Sequence, residues 1–471
     1  MNRTAGPPDL DLCFLSLAEL SRLVAARTVS PSDIVDALLK RITAFNGTLN
    51  SYVTVCAQAA RAAAVAVERD LRAGHRRSPL HGLPIAHKDI VWTKGVRTTA
   101  HSRALADFVP TENATFVDRL EQRGMILLGK TNTGEFACGT TDIFGTPKNP
   151  WSMARYTGGS SNGSANAVAA GLAIAATGTD TGGSVRVPAS FCGVVGLKPT
   201  YGRISRKGVI PLSWSMDHVG TLTRTVADAA LLLEHMAGHD PLDRTSSRRP
   251  VPSFAAQLEE PVKGLVIGLP RKHFYEGLHP DVDRSIRAAL DQLEGLGVRL
   301  EEIALEGAGD LEFVGPLLYR VEAFAQHAER LRERGRDYGR RARQKIAAGA
   351  FFSSADYLQA AQIREKWNRS VERLLRRVDA IVTPTLPFPA FPIETQSAGP
   401  PDTSWGTRHF NMSGHPALTV PCGFSSEGLP IGMQIVGNMF DEKVVLAIAH
   451  AFQQVTDWHH RRPPVGEGAA A

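Results

Sequence analysis

Apolar positions along the chain recur at two spacings, one suited to helices and one to buried strands. Near the N-terminus, "SLAELSRLVAAR" opens on Ser16 with Glu19 three residues on, a capping box, and "SPSDIVDALLKRITAF" follows with Ser30 as cap and Pro31 at the first helical position. Both predict amphipathic helices. Beyond them, strand-length apolar runs alternate with helical periodicity: "FVDRLEQRG" precedes "MILLGK", and "GLVIGLP" leads through "VDRSIRAALDQLEGLG" to "VRLEEIAL". That alternation predicts an α/β protein around a largely parallel sheet. Residues 306–376 break the rhythm: they are helical by pattern, carry Phe313, Phe324, Phe351, Phe352, Tyr357 and Trp367, and read as a helical cap over one edge of the sheet. Strand-like runs then return in "VDAIVTPTLP", "PALTVPCGF" and "PIGMQIVGN", and "EKVVLAIAHAFQQV" closes as a helix. Strands on both sides of the cap predict one discontinuous domain over residues 1–471, with residues 1–8 and 463–471 as frayed tails.

Composition adds little to this picture and removes several classes from it. The chain has 471 residues, 43% hydrophobic and 21% charged, enough for a sizeable core. Its 53 Lys and Arg against 47 Asp and Glu leave a net charge of +6, spread along the chain without aromatic interleaving, which argues against a nucleic-acid partner. The densest basic stretch, "RLRERGRDYGRRARQK" (330–345), has helical spacing and reads as an exposed helix face rather than an anionic partner site. Five scattered cysteines without CxxC spacing suggest neither a disulfide framework nor a zinc site. No signal peptide or membrane-length apolar run is evident, so the expectation is a soluble cytoplasmic protein, monomer or homodimer, without membrane contact, metal or cofactor.

The candidate chemistry lies in "TGGSSNGSANAVAAGLAIAATGTDTGGSVRVPAS" (157–190). As a phosphate loop it has Gly158 and Gly163 at the right spacing, but Ser164 stands where a lysine must reach the phosphates. As a nucleophile elbow, "GSSNG" offers Ser161, yet "NPWSMARYTG" before it is a poor strand and nothing marks His218, His409 or His415 as its base. A third reading takes both Gly-Gly-Ser units together. "SSNGSANAVAAGL" is then a serine-capped helix of small residues, "AIAAT" a short buried strand, and "GTDTGGS" a loop whose N–H groups bind a developing oxyanion beside Ser184.

A serine hydroxyl needs a base. Lys88 in "LPIAHKDI" ends an apolar strand-like run, where burial lowers an amine's pKa toward neutrality, although a lone Lys before Asp is more often a surface ion pair.

The stretches "HGLPIAHKDI", "GKTNTGEFACG", "YTGGSSNGSANAVAAG", "GTDTGGSVRVPASFCGVVGLKPTYGR" and "FNMSGHPALTVPCGF" with "GLPIGMQIVG" resemble, in order and spacing, the amidase signature family, from about residue 12 to about 462. The resemblance implies a single α/β domain with a large mixed β-sheet core flanked by helices. It also implies a Ser–cisSer–Lys triad of Ser184, Ser160 and Lys88, with a cis peptide at Gly159–Ser160 and an oxyanion hole from Thr181, Gly182, Gly183 and Ser184. Ser161 is an auxiliary hydroxyl or a helix cap, and Asp180 with Arg186 an ion pair shaping the nucleophile loop. Asn162 departs from the family's usual glycine and brings a polar side chain near the relay.

Substrate preference is read from the residues around that triad. Phe136, Cys138, Gly139, Phe144 and Trp214 suggest an apolar acyl pocket for a small-molecule aryl or short-chain amide, anilide or N-aryl carbamate (urethane). One alternative is the glutaminase subunit of a tRNA-dependent amidotransferase, which holds glutamine's ammonium and carboxylate with an acidic and a basic residue. Here "RQKIAAG" offers Lys345, but "TSWGTRHFN" has Ser404 and Trp405 where the acid is expected. An esterase using Ser161 and a histidine, and an inactive scaffold, complete the alternatives.

Overall fold

The computed structural model describes residues 11–139, 143–395 and 401–465. Eleven strands form one sheet: β1 (Tyr52–Val55), β2 (Pro84–Lys88), β3 (Ile126–Thr131), β4 (Ala175–Asp180), β5 (Val195–Lys198), β6 (His218–Thr223), β7 (Val266–Leu269), β8 (Arg299–Glu302), β9 (Ala380–Pro384), β10 (Ala417–Phe424) and β11 (Pro430–Gly437). Their spatial order is β1-β3-β2-β4-β6-β5-β10-β11-β9-β7-β8.

The sheet is mixed, as the family resemblance implies, and not largely parallel as the alternation of runs suggests. Only β2 with β3 and β4, and β7 with β8 and β9, pair in parallel. The centre, from β4 through β6, β5 and β10 to β11 and β9, is antiparallel throughout. Direction is set by the connections rather than by apolar runs: β10 and β11 are joined by a turn too short to cross over, which forces a hairpin.

Both N-terminal capping boxes form. Ser16 and Ser30 accept the N–H of Glu19 and Asp33 while those carboxylates return to the cap N–H groups. The helices Leu17–Ala25 and Pro31–Leu49 thereby fix their first turns and bury Leu20, Ile34, Leu38 and Ile42 in the main core. The segment 306–376 carries three α-helices, Leu311–Arg334, Arg340–Ala347 and Ser354–Leu374. Leu311, Leu318, Trp367 and Val371 pack with Ile381 and Phe410 in a second cluster, so this layer sits on the β9 side of the sheet. Residues 1–8 and the last part of 463–471 lie outside the described residues; Pro463 is buried and Val465 packs on the main core.

Candidate active site

Lys88 is the last residue of β2 and has no exposed surface. Its Nζ donates to Ser160 Oγ at 2.7 Å and to Thr179 Oγ1 at 2.8 Å. Thr179 reaches it because β4 lies beside β2 in the sheet. Burial brings the Lys88 ammonium down from 10.5 to about 7, while the charges of Asp180 and Asp217 pull the other way. An amine with two hydroxyl neighbours and a pKa near neutrality is poised to exchange a proton with them. The Gly159–Ser160 peptide is cis.

The second Gly-Gly-Ser unit forms the loop from β4 to the helix Arg186–Cys192. The two units meet, for Ser161 N–H donates to the carbonyl of Ser184 at 3.1 Å. Asp180 organises the loop from below: it accepts the N–H of Gly183 at 2.7 Å and of Val185 at 3.1 Å, and pairs with Arg186 at 2.9 and 3.0 Å. Burial opposes its charge, yet the Arg186 guanidinium holds the carboxyl well below the usual carboxylate range. Arg186 is itself fully buried and fans out to Thr407 O, Gln434 Oε1 and Asn411 Oδ1, so both charges are hydrogen-bonded. The expectation that Gly183 contributes to an oxyanion hole fails here, because its N–H is taken by Asp180.

Ser161 occupies the N-cap position of the helix Asn162–Ala169, but its side chain does not cap it, and it is fully buried rather than an exposed nucleophile. Its hydroxyl donates to Thr179 O at 3.1 Å and accepts Thr179 N–H at 3.2 Å, while the helix Asn162–Ala169 begins without a side-chain cap. Asn162 faces the cavity and caps locally, accepting the N–H of Gly163 at 2.9 Å. His218 Nδ1 lies 2.7 Å from Met216 O, and His409 Nε2 lies 2.9 Å from Ala308 O. Burial pushes His218 well below its ordinary pKa, and His409 and His415 to about 3. Among the described residues none of the three imidazoles hydrogen-bonds a serine hydroxyl, which removes the geometric basis of the Ser161–His reading.

Ser160, Gly182 and Ser184 line a cavity of about 460 Å³. Of the residues expected to form an apolar pocket, Cys138 and Gly139 line it, and Gly139 allows the cap to approach, since a Cβ there would lie 2.6 Å from Ala342 Cβ. Phe136, Phe144 and Trp214 do not. Phe136 adopts a positive φ of 47° and turns its ring away to stack on Tyr338 at 4.8 Å. Phe144 packs edge-on to His101, and Trp214 is 61% exposed beside a different cavity.

The wall instead carries charge. Arg320, Arg341 and Lys345 come from the cap, and Asp402 and Arg408 from the segment before β10. Arg341 and Lys345 belong to the basic stretch expected to be an exposed face; Lys345 is exposed and Arg341 half-buried, and both also line this cavity. Asp402 is bonded to Arg408 at 3.1 and 3.2 Å, and Lys345 Nζ donates to Cys138 O. Arg320 enters no ion pair among the described residues, and its buried Nε has no partner. Ser404 and Trp405 supply no acid, and Asp402, two positions before Ser404, is the acidic residue found in the cavity lining among the described residues. No local sequence signal marks Arg320 or Asp402, which reach the site only through the tertiary fold. Among the described residues, no group of three or more His, Cys, Asp or Glu side chains could hold a metal ion, and no helix is long and apolar enough to cross a membrane.

A mixed sheet that brings a buried lysine against the first serine-bearing glycine loop, itself hydrogen-bonded to the second, defines a serine-dependent amide hydrolase. The Amidase family model matches residues 33–446, and the chain belongs to that family, the amidase signature family. The glutamyl-tRNA(Gln) amidotransferase A-subunit of Moorella thermoacetica is 41% identical over 490 residues, covering 97% of this chain and 100% of the relative. Among solved structures, one of a vestigial protein complex bearing on the origins of an s-triazine catabolic enzyme superposes with a TM-score of 0.87 at 32% identity, covering 93% of this chain and 98% of that one. The glutamyl-tRNA(Gln) amidotransferase A-subunit from Thermotoga maritima superposes with a TM-score of 0.79 at 33% identity, covering 95% and 96%. The expectation of no nucleic-acid partner does not stand beside relatives named for a tRNA substrate; a modest, dispersed charge is insufficient ground for it.

Proposed function

We propose that Ser184, Ser160 and Lys88 carry out amide hydrolysis on a substrate bearing a carboxylate, and that the chain is the glutaminase subunit of a tRNA-dependent amidotransferase. Neutral Lys88 accepts the Ser160 proton as Ser160 accepts that of Ser184. Ser184 Oγ attacks the carboxamide carbon, and the N–H groups of Thr181, Gly182 and Ser184 stabilise the oxyanion, with that of Gly183 retained by Asp180. The proton returns to the nitrogen, ammonia leaves, and water hydrolyses the acyl-enzyme along the same relay.

The observation that carries the substrate class is Arg320, a guanidinium without an acidic partner among the described residues, lining the cavity that holds both serines. An uncompensated cation in a concave site favours an anionic ligand group, and Arg matches a carboxylate in geometry. Asp402 supplies an acid in the same cavity for an ammonium. The length-spanning similarity to amidotransferase relatives supports the same reading. A second reading follows from the Asp402–Arg408 bonds: an acid already engaged by an arginine favours a carboxylate amide without an α-ammonium.

Ammonia release from glutamine, glutaramate and butyramide by the purified chain separates these readings. Glutamine and glutaramate are expected to exceed butyramide by about 100-fold or more in kcat/KM, the scale of a charge-assisted contact. Glutaramate well ahead of glutamine transfers the assignment to the second reading. Butyramide equal to both overturns the carboxylate class.

A further inference from the structure

The loop Thr181–Ser184 holds two adjacent glycines, Gly182 and Gly183, which carry no side chain to anchor it, so its shape depends on contacts from outside and on Thr181. Below it stands Asp180, and on one flank Thr407 Oγ1 donates to Gly182 O at 2.7 Å. On the side of Thr181 the anchor is Asp217, which lines the neighbouring cavity beside Trp214. Thr181 Oγ1 donates to Asp217 Oδ1 at 2.6 Å, and Asp217 Oδ2 accepts the N–H groups of Leu212 at 2.8 Å and Ser213 at 2.9 Å. Every one of these contacts donates to the carboxylate, so it is satisfied as an anion although it is nearly buried. Leu212 and Thr181 both line the cavity.

The turn that carries Asp217 is held from behind by the cap. Glu322 Oε2 accepts Ser213 Oγ at 2.5 Å and Ser215 N–H at 2.9 Å, and its Oε1 accepts Ser215 Oγ at 2.6 Å and Tyr357 OH at 2.9 Å. Glu322 lies on the helix Leu311–Arg334, the one that brings Pro316, Tyr319 and Arg320 into the cavity.

We infer that Asp217 is a positioning residue for the oxyanion loop, and that Glu322, gripping the same turn from the cap helix, keeps that loop in register with the substrate-binding wall. This rests on the proposed role of Thr181–Ser184 as the oxyanion loop. Neither carboxylate touches the reacting atoms. They act through the placement of N–H groups, and a misplacement of about 1 Å costs on the order of 10²-fold in rate.

The test is a set of steady-state measurements on the full chain with melting temperatures recorded in parallel. Thr181→Val, which removes the hydroxyl and keeps the shape, and Asp217→Asn, which leaves only one acceptor oxygen, are each expected to lower kcat by about 10- to 100-fold while KM moves less than about 3-fold. Thr181→Ser recovers most of what Thr181→Val loses. The Thr181→Val/Asp217→Asn double variant is no worse than the poorer single, because both break one contact. Glu322→Gln shifts kcat in the same direction and is non-additive with Asp217→Asn. Native kcat in Thr181→Val, or defects that add fully across the pair, overturns the inference; should Asp217→Asn not fold, Thr181→Val and Thr181→Ser decide alone. Fluorophosphonate labelling of the native chain, read by peptide mass, tests the underlying reading separately: absence of label at Ser184 refutes that reading whatever the variants show.

Discussion

Lys88 Nζ and Ser160 Oγ stand 2.7 Å apart at the end of β2, in an environment that burial makes hostile to an ammonium. Only the neutral amine accepts a proton, so kcat/KM is expected to rise with pH along a limb centred near the lysine's value of about 7. Lys88→Met and Lys88→Arg should both lower kcat by about 10³-fold or more and abolish that limb, since a guanidinium does not deprotonate. A pH–rate profile unchanged in Lys88→Met rejects the relay.

The same burial makes a statement about stability. A lysine lowered from 10.5 to about 7 on folding binds fewer protons folded than unfolded between those values, so stability should rise with pH across that window. Lys88→Met removes the cost of burying the charge and should melt higher than the native chain at pH 7, by a free energy on the order of a few kcal/mol. Differential scanning calorimetry from pH 6 to pH 10 checks both; a variant that melts lower at pH 7 contradicts the account.

The two serines of the glycine loops differ in what they hold. Ser184→Ala should lower kcat by several orders of magnitude and eliminate fluorophosphonate labelling. Ser161→Ala should keep the label on Ser184 but lose about 1–2 kcal/mol of stability, because its hydroxyl satisfies both backbone groups of Thr179. Label appearing at Ser161 in the native chain restores the elbow reading.

How much of this is legible in the sequence depends on distance along the chain. Lys88, Ser160 and Ser184 sit in contiguous motifs, and the helices beginning at Leu17 and Pro31 announce themselves through their caps. β5 and β6 give no such notice, because "VGLK" and "HVGTLT" are short and interrupted by Gly, Lys and Thr, with no period to read. The cavity wall is illegible for a different reason. Phe136 lies beside a motif and is apolar, but its positive φ directs the ring into a cluster with Tyr338 and His327. Arg320 and Asp402 are remote in sequence from both serines and become neighbours only when the cap folds over the sheet.

Arg320→Met tests the carboxylate contact directly. KM for glutamine or glutaramate should rise by about 10- to 100-fold while kinetics on butyramide stay put, since only the charged substrates use the guanidinium. Arg320→Lys keeps the charge without the fork and should fall between the two. An equal loss on all three amides points to a packing defect instead.

The buried pair beneath the nucleophile loop should govern acid stability. Asp180 is held below its ordinary carboxylate range by Arg186, so its contribution is fully present above the unfolded value near 3.8 and is lost as pH falls through the lower folded value. Arg186→Met strands that carboxylate among Gly183, Val185 and Asn411, which donate to it but do not neutralise it. Breaking one partner of such a pair costs about 3–5 kcal/mol. The carboxyl then titrates at a higher pH, because burial is no longer offset by the guanidinium, and the onset of acid unfolding should move upward. The Asp180→Asn/Arg186→Met double variant removes the unpaired charge and should regain part of the loss. Acid-titration curves for the native chain and these variants, followed by circular dichroism, decide the matter: an Arg186→Met midpoint no higher than native, or a double variant less stable than Arg186→Met, rules out this electrostatic role.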